Sequence, residues 1–176
     1  MRLFVALSIP DSVAQGLMLI QAGVPDARWS GRGQLHLTLR FIGEVDGRDA
    51  NTIDDALVAI VAPRFTMALK GVGEFGGKRP HALWAGVRDP EPVAHLARKV
   101  EAALQRAGFA AEERKFAPHV TLARLRAASQ GRVLDWLTDH ALYASPPFAV
   151  SEFILYSSQL TSDGSIYVPE RTYALR

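Results

Sequence analysis

The stretch HLTL at residues 36–39 decides the fold, because a near copy of it, HVTL, stands at residues 119–122. Polar and apolar residues alternate in both copies, which predicts a β-strand at each. Alternate side chains of a strand point to the same face, so each copy presents one imidazole and one hydroxyl side by side. The copies begin 83 residues apart in a chain of 176 residues. We therefore expect two similar halves that bring both His-x-Thr pairs into one cleft.

The sequence around these strands predicts interleaved strands and helices. Several strands follow one another through short turns, which favours an α+β fold with antiparallel sheets over a parallel sheet. No Ser/Gly linker or low-complexity tract divides the chain, so residues 1–176 are expected to form a single domain. The patterns predict strands at about 2–8, 28–29, 35–45, 65–72, 82–87, 119–125, 148–157 and 165–175, and helices at about 10–22, 49–61, 90–107 and 129–139.

Bulk composition is that of a soluble globular protein. Hydrophobic residues make up 48% of the chain and charged residues 22%, and no apolar run is long enough to cross a bilayer. The first residues are interpreted as a strand rather than a signal peptide, and a cytoplasmic protein with no membrane partner is expected. Because the sequence has no cysteine, disulfides and thiolate zinc sites are excluded.

The kind of positive charge is more informative than its amount. The net charge is only +2, but 16 of the 20 basic residues are arginines. Arginine binds phosphate oxygens bidentately, which favours a phosphate-bearing ligand, although a GC-rich genome explains the bias equally well. The low net charge argues against a protein that coats DNA without specificity.

Two imidazoles beside one phosphodiester are suited to acid–base catalysis. A neutral histidine accepts a proton from water and a protonated one gives a proton to the leaving oxygen, and both forms coexist near neutral pH. The hydroxyls of Thr38 and Thr121 are expected to donate to the non-bridging phosphate oxygens. The sequence has no HExxH motif and no His/Asp ligand cluster, so neither a metal nor another cofactor is expected.

The two His-x-Thr strands and the residues around them resemble the corresponding segments of 2H phosphoesterases, and most closely those of the bacterial and archaeal RNA 2′,3′-cyclic phosphodiesterases, also called 2′-5′ RNA ligases. The resemblance spans nearly the whole chain. It is carried by residues 35–45 and 116–124, and by residues 2–7, 84–87 and 155–160, with Gly164 and Tyr167.

The resemblance implies a bilobal fold with two pseudo-symmetric lobes, each with an antiparallel sheet and outer helices, around a central active-site cleft. It implies hydrolysis of a terminal RNA 2′,3′-cyclic phosphate to a 2′-phosphate, with 2′-5′ ligation as a further reaction. The RNA partners would include tRNA fragments, and free nucleotides are alternative ligands. By this analogy His119 is the base and His36 the acid, although pseudo-symmetry allows the roles to exchange.

Four further residues are candidate ligand contacts. Arg40 has the strand parity of His36, so a regular strand would point it into the cleft. Arg124 has the wrong parity, and reaches the phosphate only if its strand bulges, yet the resemblance favours Arg124 as the phosphate-binding arginine. Phe75 and Tyr156 are candidates to stack on a base.

Other patterns carry less information. Gly71-x-Gly73-x-x-Gly76 matches a dinucleotide fingerprint formally, but Pro80 blocks the helix that should follow, so a flexible loop is predicted. His81, His95 and His140 have no partner at a telling spacing. Two other functions remain open: an RNA- or nucleotide-binding module with little catalysis, and a cyclic phosphodiesterase acting on a small nucleotide. No coiled-coil pattern is present, and a monomer is expected.

Overall fold

A computed structural model describes residues 1–176, and its nine strands pair antiparallel throughout. The order across the sheet is β7-β4-β5-β6-β3-β1-β8-β9, and β2 pairs with β6 outside this path. The strands are β1 (Arg2–Ser8), β2 (Ala27–Trp29), β3 (His36–Glu44), β4 (Phe65–Phe75), β5 (Ala82–Arg88), β6 (His119–Leu125), β7 (Phe148–Val150), β8 (Glu152–Thr161) and β9 (Gly164–Ala174).

The two strands that carry the His-x-Thr pairs lie at the centre of this order. On one side the sheet continues as β3-β1-β8-β9, and on the other as β6-β5-β4-β7, so four strands of this path lie in each half, and β2 adds a fifth to the half with β6. The halves are joined at a single residue pair, Leu37 opposite Val120. The prediction of an α+β fold with two similar antiparallel halves is confirmed.

Four helices cover the sheet and close the core. They are α1 (Asp11–Leu19), α2 (Gly47–Val58), α3 (Glu91–Arg106) and α4 (Gln130–Asp139), with a 3₁₀ turn at Arg32–Gln34. Pro90 directly precedes helix α3, and Pro92 lies in its first turn, where proline is tolerated. The helix ends before Gly108, whose φ of 98° fits a helix C-terminus. None of the helices is long and apolar enough to span a membrane.

Apolar residues three and four positions apart bury one face of each helix. Helix α3 buries Val93, Leu96, Val100 and Leu104, a spacing that places them on one side of the helix. These side chains belong to one continuous cluster of 36 buried residues that draws on both halves of the sheet. The core therefore holds the two halves together, although the strands join them at only one residue pair.

Strand β4 is longer than the sequence predicts. Gly71 and Gly73 lie within β4, so the expectation of a flexible loop there is wrong, and the turn is confined to about residues 76–81. The glycine at position 73 serves packing, because a Cβ there would lie 2.1 Å from the ring of Trp84 on β5. Only a residue without a side chain lets that indole lie flat across the neighbouring strand.

The strand predicted at about residues 148–157 is in fact two strands in different halves of the sheet. Strand β7 pairs with β4, whereas β8, which begins two residues later, pairs with β1. The chain thus crosses between the halves at Ser151. Apolar patterning runs through both strands, so it gave no signal of the crossing.

Candidate active site

The antiparallel register at the centre of the sheet sets the histidine of each His-x-Thr pair opposite the threonine of the other. With Leu37 opposite Val120, His36 lies beside Thr121 and Thr38 lies beside His119. All four polar side chains are half-buried on one face, and Leu37 and Val120 are fully buried on the other. Each histidine is therefore in register with the threonine of the opposite half.

Both imidazoles are held by the same local hydrogen bond. Nδ1 of His36 lies 2.8 Å from the carbonyl oxygen of Gln34, and Nδ1 of His119 lies 2.6 Å from that of Ala117. A carbonyl oxygen only accepts, so in each ring Nδ1 carries the hydrogen and donates it. The neutral tautomer then leaves the lone pair on Nε2, which accepts no hydrogen bond from the protein and is available to a ligand.

An aromatic ring contacts each histidine edge to face. The ring of Tyr167 on β9 lies 5.0 Å from that of His36, at 87°. The ring of Phe75 at the end of β4 lies 5.0 Å from that of His119, at 84°. Each half thus places one aromatic ring edge to face against its imidazole, at the same distance between ring centres.

The sequence identified one of these two rings as a candidate contact and missed the other. Phe75 was expected near the cleft and lies there, but at a strand end rather than in a loop. Tyr167 entered only through the family resemblance, because the β9 sequence has little alternation. Tyr156 stacks on Phe4 at 5.3 Å and lies 6.4 Å from His36, so Phe4 is the nearer ring of the two, at 4.9 Å from His36.

Burial and nearby positive charge lower the pKa of both histidines. Desolvation lowers the pKa of His36 to about 4, with smaller contributions from the positive charges of His119 and Arg124 and opposition from the hydrogen bond to Gln34. The pKa of His119 is also lowered, first by desolvation and then by Arg124. Both rings are therefore neutral at pH 7, and the positive charge of Arg124 contributes to the lowered pKa of each.

A bulge in each central strand decides which arginine reaches the cleft. In β3 the pairing with β1 skips Leu39, and in β6 the pairing with β5 skips Leu122, at the equivalent place. After each bulge the alternation reverses. Arg124 is thereby exposed on the histidine face, as the resemblance implied and as strand parity alone did not.

Arg40 turns to the opposite side of the sheet for the same reason. Its guanidinium pairs with Glu101 of α3 and donates to the carbonyl oxygens of Phe41 and Ala110, and the side chain is 9% exposed. The expectation that Arg40 faces the motif histidines is wrong. Phe41, the next residue, takes the exposed position instead.

A groove of about 890 Å³ shares Arg124 with this site. Its lining includes Phe41 and Arg114, and Arg2, whose guanidinium carbon lies 5.0 Å from the centre of the Phe41 ring. Acidic side chains also line it, among them Glu112 and Glu113, and neither of these forms an ion pair with the arginines of the groove. The groove is therefore mixed in charge.

The remaining histidines lie at the edge of the site or away from it. His81 follows the β4–β5 turn and stacks near Phe75 at 6.3 Å. His95 of α3 lines a separate cavity of about 290 Å³, and His140 packs near Trp136 of α4. His36 and His119 are thus the two histidines whose free nitrogens share one face with paired hydroxyls.

Comparison with known proteins agrees with this geometry. A model of the 2′-5′ RNA ligase superfamily matches residues 10–161. An RNA 2′,3′-cyclic phosphodiesterase of Thermotoga maritima is 32% identical over 177 residues, covering 95% of this chain and 91% of that protein. One from Escherichia coli is 31% identical over 183 residues, covering 99% of this chain and 96% of that protein.

Solved structures share the fold over the full length. The crystal structure of E. coli LigT complexed with 3′-AMP has a TM-score of 0.81 at 29% identity, covering 99% of this chain and 97% of that one. The crystal structure of TT0787 of Thermus thermophilus has a TM-score of 0.85 at 25% identity, covering 100% of this chain and 98% of that one. Family model, full-length relatives and fold agree, and the chain belongs to the 2′-5′ RNA ligase superfamily.

Proposed function

We propose that this protein hydrolyses the 2′,3′-cyclic phosphate at the end of an RNA to a 2′-phosphate, with His36 and His119 as the acid–base pair. The observation that carries the proposal is the pair of half-buried imidazoles on one face, each with Nε2 free and each beside a threonine from the opposite half. The relatives named RNA 2′,3′-cyclic phosphodiesterase support the substrate class.

The reaction needs one histidine that accepts a proton from water and one that donates a proton to the leaving oxygen. Water attacks the phosphorus while one Nε2 accepts its proton, the bond from phosphorus to the 3′ oxygen breaks, and the other histidine protonates that oxygen. The products are a 2′-phosphate and a free 3′-hydroxyl. A 5′-hydroxyl of a second RNA in place of water gives a 2′-5′ phosphodiester by the same proton transfers, which is the ligation reaction.

Thr38, Thr121 and Arg124 are suited to stabilise the charge that builds on the phosphate. The two hydroxyls lie on the histidine face, one from each half, where each is able to donate to a non-bridging oxygen. The Arg124 guanidinium lies close enough to both imidazoles to lower the pKa of each. A phosphate bound among these groups offsets that effect, since its negative charge raises the pKa of a neighbouring histidine.

The rise in histidine pKa on phosphate binding protonates the histidine that acts as the acid. Both histidines are neutral before the phosphate binds, so one must gain a proton as it does. The family resemblance assigns that role to His36 and the base role to His119. The deeper burial of His36 makes its protonation more dependent on the bound anion than that of His119.

End analysis of a cyclic-phosphate oligonucleotide tests the reaction. Incubation with EDTA present is expected to yield a 2′-phosphate, and a 3′-phosphate or full inhibition by EDTA contradicts the proposal. H36A and H119A are each expected to lower kcat by about 10²–10⁴. H95A is the matched control, because His95 lies on α3 in a separate cavity, and near-normal turnover by either site variant would rule out the two-histidine mechanism.

A substrate with sulfur in place of the 3′ oxygen separates the acid from the base. A thiolate, with a pKa of about 8.5 as the free thiol, leaves without a proton, so loss of the acid is then tolerated. We expect H36A to regain activity on this substrate and H119A to stay inactive. The opposite pattern exchanges the two roles, and rescue of neither variant contradicts a division into acid and base.

A further inference from the structure

Two arginines face each other across neighbouring strands at the end of the site. Strand β2 pairs with β6 so that Arg28 lies directly opposite Arg124. Residues opposite each other in an antiparallel pair project on the same face, with Cβ atoms about 4.5–5.5 Å apart. Arg28 was not among the residues that the sequence singled out.

The packing of the next residue fixes the face to which Arg28 turns. Trp29 is half-buried against the core, and its ring lies 6.0 Å from that of Trp136 on α4. Because side chains alternate along a strand, Arg28 points to the other face, which is the face of His119 and Arg124. It is exposed there.

The Arg28 guanidinium lies close to the β8–β9 turn at Gly164, and no carboxylate pairs with it there. A Cβ on Gly164 would lie 3.7 Å from Nη2 of Arg28 and 3.5 Å from Nε2 of Gln34, so both side chains lie against this turn. Gly164 has a φ of 120°, a conformation that keeps the position free of a side chain. Gln34 Nε2 donates to the carbonyl oxygen of Ser165 and its Oε1 accepts from the N–H of Gly31, so both polar atoms of this side chain have partners other than Arg28.

The charge of this pair is uncompensated within the protein. Neither Arg28 nor Arg124 has a carboxylate within the 4.0 Å of an ion pair, although Asp11, Asp54, Glu44, Glu91 and Glu101 all pair elsewhere. Like charges directly opposite each other in a sheet are destabilising. An anionic ligand with more than one phosphate removes that cost, and guanidinium groups bind phosphate bidentately.

We infer that Arg28 is a specificity-determining residue that binds the phosphate on the 5′ side of the terminal nucleotide, next to the cyclic phosphate at Arg124. The inference rests on the proposed function. It makes a polynucleotide end, or a nucleotide bearing a 5′-phosphate, the preferred substrate over a cyclic mononucleotide with a free 5′-hydroxyl. It also directs the strand towards the β8–β9 turn rather than into the groove lined by Arg2, Phe41 and Arg114.

The test compares two adenosine 2′,3′-cyclic phosphates, one with a 5′-hydroxyl and one with a 5′-phosphate. Wild-type enzyme is expected to have the higher kcat/KM on the 5′-phosphorylated compound. R28Q is expected to lose about 10-fold on that compound and less than about twofold on the other, as fits one charge-assisted hydrogen-bonded contact. The salt dependence of log kcat/KM on the 5′-phosphorylated substrate should be weaker in R28Q than in wild type, because the variant loses one charge–charge contact that salt screens.

Controls separate the inference from the proposed function. R106Q removes an exposed arginine from α3, and is expected to change neither substrate's kcat/KM. R28K should retain an intermediate preference, because lysine keeps the charge without the bidentate geometry. Wild-type enzyme that hydrolyses neither compound and also fails on the cyclic-phosphate oligonucleotide contradicts the proposed function. Wild-type enzyme that hydrolyses the oligonucleotide alone overturns the role of Arg28, because a 5′-phosphate then does not suffice. Wild-type enzyme that hydrolyses both equally, R28Q with equal losses on both, or a selective loss in R114Q instead, overturns the role of Arg28.

Discussion

Replacement of His36 by asparagine is expected to make the protein less sensitive to acid. The folded state holds the His36 imidazole neutral, with a pKa of about 4 against about 6.5 in the unfolded chain. Between these values the unfolded state binds the proton and the folded state does not. The free energy of unfolding therefore falls as the pH falls from about 6.5 to 4.

The size of this effect follows from the two pKa values. The difference of about 2.5 units corresponds to about 3 kcal/mol in full, of which about 2 kcal/mol is lost by pH 5. The asparagine amide can donate to the Gln34 carbonyl oxygen in place of Nδ1, so H36N keeps the local hydrogen bond and removes only the titration. His119 titrates in the same direction in both proteins, and the comparison isolates His36.

Urea unfolding at intervals between pH 4.5 and 7.5 measures the difference. The free energy of unfolding of H36N relative to wild type should rise by about 2 kcal/mol from pH 7.5 to pH 5. H95N serves as a control for the loss of an exposed imidazole on α3. Plots of the free energy of unfolding against pH that stay parallel for H36N and wild type over this range would refute the argument that burial keeps His36 neutral.

Three further substitutions test the packing around the site. R40M should lower the free energy of unfolding, measured in urea, by about 3 kcal/mol, because it leaves Glu101 without its buried partner. The double variant R40M/E101Q should recover part of that loss, and equal stability of R40M and wild type would contradict this. G73V should lower Tm and kcat together, because its Cβ overlaps the Trp84 ring, and an unchanged Tm would count against that contact. Y167L should lower kcat/KM on the cyclic phosphate by about 2- to 10-fold, because it loses the edge-to-face contact with His36. Y167F keeps the ring and should not lower kcat/KM, so equal losses in the two variants would assign the effect to the hydroxyl.

The sequence was a good guide to the parts of the site that depend on local pattern. Alternation alone placed His36 and Thr38 on one face, and the duplication placed His119 and Thr121 likewise. It did not reveal that the two strands are direct neighbours, because strand order is set by packing between distant segments. The halves therefore meet edge to edge at one residue pair, a detail that patterning does not encode.

Arg40 and Arg124 show where side-chain direction cannot be predicted from strand alternation alone. Parity favoured Arg40 and disfavoured Arg124, and the bulges at Leu39 and Leu122 reverse both. A bulge inserts one residue without a compositional signal of its own, since the residues involved are ordinary apolar ones. The family resemblance favoured Arg124, which the structure places on the histidine face, because a resemblance reports the outcome of that geometry without its cause.

Arg28 and Gly73 were missed for a different reason. The role of each depends on a residue far away in the sequence, Arg124 in one case and Trp84 in the other. Gly73 also stood among other glycines, which favoured a loop, although its neighbours pair regularly with β5. Contacts between strands decide such positions, and the pairing had to be known first.

The crossed arrangement of histidines and threonines is symmetric about a twofold axis, and the residues beyond it are not. Exchange of β3 with β6 maps the four side chains onto one another, so two identical half-length chains related by a twofold axis would assemble the same set. The symmetry ends just after each bulge, where β6 has Arg124 and β3 has Phe41. One half of the histidine face is therefore cationic and the other aromatic, so a ligand bound there meets two chemically different sides.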